Sequence, residues 1–155
     1  LRIVSDAGQN LRVDPSTTTN PMPAAPMVDG ALNPGTPSVV AAAYTNSGFS
    51  SVKPASTMLY VIDQALDTLY VQNPPNNGTL TTPVKINTDL GNDVGFDIAG
   101  TANSAYVTNA GAEATTLYRL DLASGQVTKV GDVATVTKKG KVKRSSLIGL
   151  AAVQD

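Results

Sequence analysis

The densest group of oxygen ligands in the chain is Asn87-Thr88-Asp89-Leu90-Gly91-Asn92-Asp93, with Asp97 just beyond it. Calcium is a hard cation that gathers about six to eight such oxygens, so Asp89, Asn92, Asp93 and Asp97 are the residues that would suit it. Their spacing departs from the Asp-x-Asp-x-Asp-Gly loop pattern. Asp and Asn also build turns through their own side chains, which accounts for the run at least as well. The expectation is therefore no cofactor, with calcium as the one ion these residues could hold. A second group is basic: Lys138, Lys139, Lys141, Lys143 and Arg144 hold five of the eleven Lys and Arg residues. Residues 1–137 carry a balance of −5 and residues 138–155 a balance of +4. Such an asymmetry suits a polyanion, an acidic polysaccharide above all, or the acidic body of a partner. No aromatic residue is interleaved with it, so base stacking on nucleic acid is unsupported. The plain alternative is a solvated hairpin tip.

Other chemistries are excluded by composition. The chain has no His and no Cys, which removes imidazole triads, His-based zinc, disulfides and thiolate nucleophiles. Glu113 is the one Glu, so a carboxylate pair would rest on Asp, and an enzyme is not expected. No phosphate-binding Gly-rich motif stands before a helix. Asn77-Gly78-Thr79 fits the N-glycosylation pattern.

The elements that position these groups read as strands. With 41% hydrophobic and 15% charged residues among 155, the chain is too apolar for disorder and too thinly charged for a helical bundle. Val, Leu and Tyr alternate with many Thr, and thirteen Gly and ten Pro punctuate them. No apolar run approaches the roughly 18 residues of a membrane span. Leu1 is not an initiator residue, so a processed or truncated chain at an extracellular or cell-surface location is expected.

Internal repetition is the strongest signal. Leu59-Tyr60-Val61-Ile62-Asp63 resembles Leu117-Tyr118-Arg119-Leu120-Asp121, with Leu11-Arg12-Val13-Asp14 a weaker relative. Ala43-Tyr44-Thr45-Asn46 resembles Ala105-Tyr106-Val107-Thr108-Asn109, and Gly95-Phe96-Asp97-Ile98-Ala99 resembles Gly149-Leu150-Ala151-Ala152-Val153. The offsets of 48, 54 and 58 residues slightly exceed the roughly 40–50 of common propeller blades. Four strands are expected at 95–99, 104–109, 116–121 and 126–130, and four more at 39–45, 58–63, 68–72 and 83–87. Asp63 and Asp121 are expected to form turns. Residues 15–37, rich in Pro and Thr, are expected to be a long loop or arm.

Ile3-Val4-Ser5-Asp6-Ala7-Gly8-Gln9-Asn10-Leu11-Arg12, Val39-Val40-Ala41-Ala42-Ala43-Tyr44-Thr45-Asn46, Gln72-Asn73-Pro74-Pro75-Asn76-Asn77-Gly78-Thr79-Leu80 and Val94-Gly95-Phe96-Asp97 together resemble bacterial proteins carrying the domain of unknown function 4394. The resemblance implies an exported, propeller-like fold and assigns no activity, so no functional residue is carried over. Members of that family usually have further repeats upstream, whereas this sequence holds about two and a half units. The expected architecture is a single all-β domain over 1–155 of antiparallel four-stranded repeats, propeller-like and partial or completed by neighbouring subunits, with a β-sandwich as the alternative. The expected role is a non-enzymatic structural or interaction module that associates with copies of itself through strand edges; a polysaccharide-binding module comes second, and a propeller-type hydrolase or lyase third.

Overall fold

The structure, a computed structural model, describes residues 1–13, 25–47, 53–100, 102–136, 138, 140–144 and 149–152. Strands dominate it. β1 (Arg2–Val4), β2 (Asn10–Arg12) and β3 (Met27–Val28) form a three-stranded antiparallel sheet in that order. β4 (Val39–Tyr44), β5 (Leu59–Asp63), β6 (Thr68–Gln72) and β7 (Leu80–Lys85) form a second sheet, a simple meander. β8 (Val94–Ala99), β9 (Ser104–Ala110), β10 (Thr115–Leu120) and β11 (Val127–Asp132) repeat that meander as a third. β12 (Ala134–Val136) and β13 (Val142–Arg144) make a short hairpin beyond it, and one 3-10 turn spans Pro75–Asn77. The all-β expectation holds, and the eight strands expected in two groups of four are those of the second and third sheets.

Local chemistry sets the turns. Asp63 Oδ1 accepts from the backbone N–H groups of Ala65 (3.0 Å) and Leu66 (3.2 Å), fixing the β5–β6 hairpin. Asp121 Oδ1 does the same after β10, from Ala123 N (3.0 Å), Ser124 N (2.8 Å) and the Ser124 hydroxyl (2.9 Å). A short side chain that satisfies two or three turn donors is why Asp ends these strands. Gly78 closes the 3-10 turn at φ +68°, and a Cβ there would overlap the carbonyl oxygen of Ala31. Only glycine meets both demands.

The sheets stack face to face, with β1 against β4 and β4 against β8. Between the second and third sheets lies the larger core, including Ile62, Leu69, Phe96, Ile98, Val107 and Leu120. Between the first and second lies a smaller one of Leu32, Val39, Leu59, Val61 and Leu80, with Val4 packed against it. Val61, Ile62, Ile98 and Val107 are fully buried, each worth about 1.5–3 kcal/mol over an exposed side chain.

The topology corrects how the repeats align. Leu59–Asp63 is the second strand of its sheet and Leu117–Asp121 belongs to the third strand of the next, so their shared pattern joins non-equivalent positions. Ala43-Tyr44 ends a first strand, whereas Ala105-Tyr106 lies in a second. The matching elements are Leu59-Tyr60-Val61 with Ala105-Tyr106-Val107, and Leu69-Tyr70 with Leu117-Tyr118, at offsets of 46 and 48 residues. Leu-Tyr occurs in two successive strands of the second sheet, which is what displaced the sequence alignment by one strand.

Candidate interaction site

The first sheet meets the second through a polar node. Arg2 sits between apolar neighbours on β1 and points toward the second sheet, where its side chain is only 5% exposed. Its Nη1 donates to Asp29 Oδ2 (2.6 Å) and Asn10 Oδ1 (2.9 Å), and its Nη2 to Asn76 Oδ1 (2.8 Å). Asn10 Nδ2 donates to the carbonyls of Gly30 and Pro75, both at 2.9 Å, and Gln72 Nε2 donates to Asn10 Oδ1 (3.1 Å) and Pro75 O (2.7 Å). Arg12 Nη2 adds a longer contact to Asp29 at 3.3 Å. Burial works against the charge on Arg2, but Tyr44 and Asp29 outweigh it and hold the guanidinium above its ordinary pKa. The node was not anticipated from the sequence. Its one readable signal is an Arg in a strand whose partner strand carries Asn10 and Arg12 on the same face.

Two clefts open beside these sheets. One of about 640 Å³ is lined by Pro34, Pro37, Asp63, Leu66, Tyr70 and Pro83 among others. Burial, and then the charge on Asp63, raise the Tyr70 phenol above its usual pKa. A smaller cleft of about 280 Å³ lies among Leu1, Arg2, Tyr44, Ser47 and Asp97, where β1, β4 and β8 come together.

The residues singled out for calcium fall in two places. Asp89, Asn92 and Asp93 lie in the connection before β8; the carbonyl of Asp89 accepts from Asn109 Nδ2 and that of Asp93 from Ala110 N, both at 3.0 Å. Asp97 is on β8, where Oδ1 accepts from Ile98 N (2.9 Å) and Oδ2 from Ala152 N (2.7 Å). Among the described residues no three His, Cys, Asp or Glu side chains come together as a metal site. The basic residues flank the last hairpin. Lys138 and Lys141 are exposed at its tip, and the backbones of Lys143 and Arg144 belong to β13. Lys139 lies outside the described residues. No helix among the described residues is long and apolar enough to cross a membrane.

Asp121 offers a test of the turn chemistry. The Ser124 backbone N–H and hydroxyl hold its carboxyl below the usual carboxylate range. A depressed carboxyl stabilises the fold fully above its unfolded pKa and loses that contribution as pH falls through the folded value. Ser124→Ala is expected to move the Asp121 midpoint upward in an NMR titration; an unchanged midpoint would show that the hydroxyl plays no part.

The outward faces differ from those of an ordinary solvated sheet. Ile3 pairs with Leu11 and Leu11 with Val28, so the three form one cross-strand row on the side away from the second sheet. Leu1, two residues from Ile3, shares that side. Ile3 is 41%, Leu1 72% and Val28 82% exposed. The polar residues Arg2 and Asn10 are turned inward and the apolar row outward.

Stacked antiparallel meanders, a polar inter-sheet node and an outward apolar row define an all-β repeat protein whose distinctive surfaces are sheet faces. The chain belongs to the family described as Domain of unknown function (DUF4394), whose model matches residues 1–144. No curated protein and no solved structure matches it.

Proposed function

We propose that this protein is a non-enzymatic structural or interaction module acting outside the cytoplasm, a propeller-like array of blades that associates with copies of itself. The observation that carries the reading is the outward row of Ile3, Leu11 and Val28. A sheet that spends its polar side chains on an internal node and presents apolar ones to water has the pattern of an interface, because single exposed apolar residues are common but contiguous ones are not. The chemistry of the chain supports the non-enzymatic part, with neither His nor Cys to supply a nucleophile or base. Light scattering on the purified chain over a range of concentrations tests it. The expected mass rises above 15.9 kDa in multiples of that value. A compact monomer at every concentration overturns the reading.

A further inference from the structure

Asp63 ends β5 on the face that also carries Leu59 and Val61, and it is 1% exposed. Its hydrogen bonds come from backbone N–H groups: Oδ1 accepts from Ala65 and Leu66, and Oδ2 from Ser38 at 3.3 Å. A carboxylate has about four acceptor positions and a full negative charge, so these amides occupy most of the positions and leave the charge without a counter-ion. Among the described residues no Lys, Arg or amino terminus forms an ion pair with Asp63. Lys85, on β7, turns its ammonium to the Leu66 carbonyl instead, with Asp67 at 4.0 Å. A buried carboxylate held by amides alone attracts any cation that can come near it.

The 640 Å³ cleft provides the approach. Tyr70 stands opposite Val61 in the β5–β6 register, which puts its ring on the same face as Asp63, and both residues line the cleft. Pro34 and Pro37 come from the connection before β4, Leu66 from the β5–β6 turn and Pro83 from β7, so the remaining lining is largely apolar. No Lys or Arg lines it, and Asp63 therefore sets the sign of the potential inside. Tyr70 registers that field. Burial and the Asp63 charge together raise its phenol above the usual pKa, and a field that disfavours a phenolate favours a cation. The neutral phenol oxygen, which has no hydrogen-bond partner among the described residues, can accept from an N–H donor, and the ring attracts a cation over its face. The volume lies within the range of about 300–1,000 Å³ that takes a small molecule.

We propose that this cleft is a binding site for an organic ammonium ion, an alkylammonium group carried on an apolar body. The body packs against Pro34, Pro37, Leu66 and Pro83, while the ammonium lies beside Tyr70 and is balanced by Asp63. A neutral molecule of the same shape gains the apolar walls without the charge, and an anion is repelled. The site shares no residue with the row of Ile3, Leu11 and Val28, so it goes beyond the self-association proposed above and does not depend on it.

Cyclohexylammonium and cyclohexanol match in shape and differ in charge, which makes them the probes. Each is titrated into the purified chain at neutral pH and followed by calorimetry and by the NMR signals of the Tyr70 ring. The cation is expected to bind about tenfold or more tightly than the alcohol, a factor within reach of one Coulomb contact after desolvation. Asp63→Asn keeps an Oδ1 acceptor for the Ala65 and Leu66 amides while removing the charge, and is expected to erase that preference. Tyr70→Leu, which leaves the Asp63 turn in place, is expected to weaken the cation more than the alcohol. Equal affinities of the unaltered chain for the two probes overturn the proposal without recourse to any variant. So does a preference that survives Asp63→Asn, or a Tyr70 ring signal that the cation does not move. Nα-acetyl-lysine methylamide separates the two sources of such a group: binding tighter than that of cyclohexylammonium supports a lysine side chain of another protein, and weaker binding supports a free amine. A chain that self-associates but prefers neither cation loses this site and keeps the earlier reading; a monomer that prefers the cation does the reverse.

Discussion

Replacing Asp29 by Ala is expected to lower the unfolding free energy by about 3–5 kcal/mol, the cost of leaving a buried charge without its partner. Arg2 is 5% and Asp29 8% exposed at the side chain, and their 2.6 Å contact is the one ion pair between two well-buried groups among the described residues. Without Asp29 the guanidinium keeps Asn10, Asn76 and the Tyr44 phenol, and loses its carboxylate counter-charge. Small domains have about 5–15 kcal/mol in total, so the loss is large enough to see as a fall in the urea midpoint with an unchanged slope. The Lys129–Asp132 pair supplies the contrast. Its distance is 2.7 Å, but its side chains are 56% and 28% exposed, and Lys129→Ala is expected to cost less than about 1 kcal/mol. A loss below about 1 kcal/mol for Asp29→Ala would mean that water reaches Arg2 and that the node is not what fixes the first sheet.

The second large effect is expected at Ile98. It is fully buried in the core between the second and third sheets, packed with Ile62, Leu69 and Leu120. Ile98→Ala removes three carbons from a site held by strands on both sides, where collapse is limited, and is expected to cost about 2–5 kcal/mol. Val130→Ala, at a residue 58% exposed, is expected to stay within about 0.5 kcal/mol. Equal effects of the two substitutions in thermal or urea unfolding would refute the division of the molecule into a core joint and a solvated edge.

Strand existence was legible because strand-type composition and turn chemistry are local. Leu59–Asp63 is an apolar run that ends on an Asp forming its own turn, and Thr115–Leu120 stops just before Asp121, which does the same. Strand equivalence was not legible, because the Leu-Tyr pair occurs on β5, β6 and β10, and hydrogen-bonded order alone shows which of these correspond. The Arg2 node was invisible for a different reason. Its members come from positions 2, 10, 29, 72 and 76, so no window of sequence contains it. The row of Ile3, Leu11 and Val28 hid likewise, since Val28 follows the Pro- and Thr-rich stretch that reads as a loop while the structure pairs Met27–Val28 with β2.

The span between Arg2 and Asn76 also bears on how the chain reaches this structure. Their hydrogen bond joins residues 74 apart, whereas the β5–β6 hairpin pairs Asp63 with Thr68. Contacts across long loops form slowly, because the closure entropy is met before the contact contributes anything. Synthesis runs from N- to C-terminus, so β1 emerges before the Pro75–Asn77 turn that receives it exists. Until then the guanidinium is hydrated, and the strand has neither its node nor a neighbouring sheet. The first sheet is thus made before the turn that secures it, and its apolar row waits longest for the contacts that fix it.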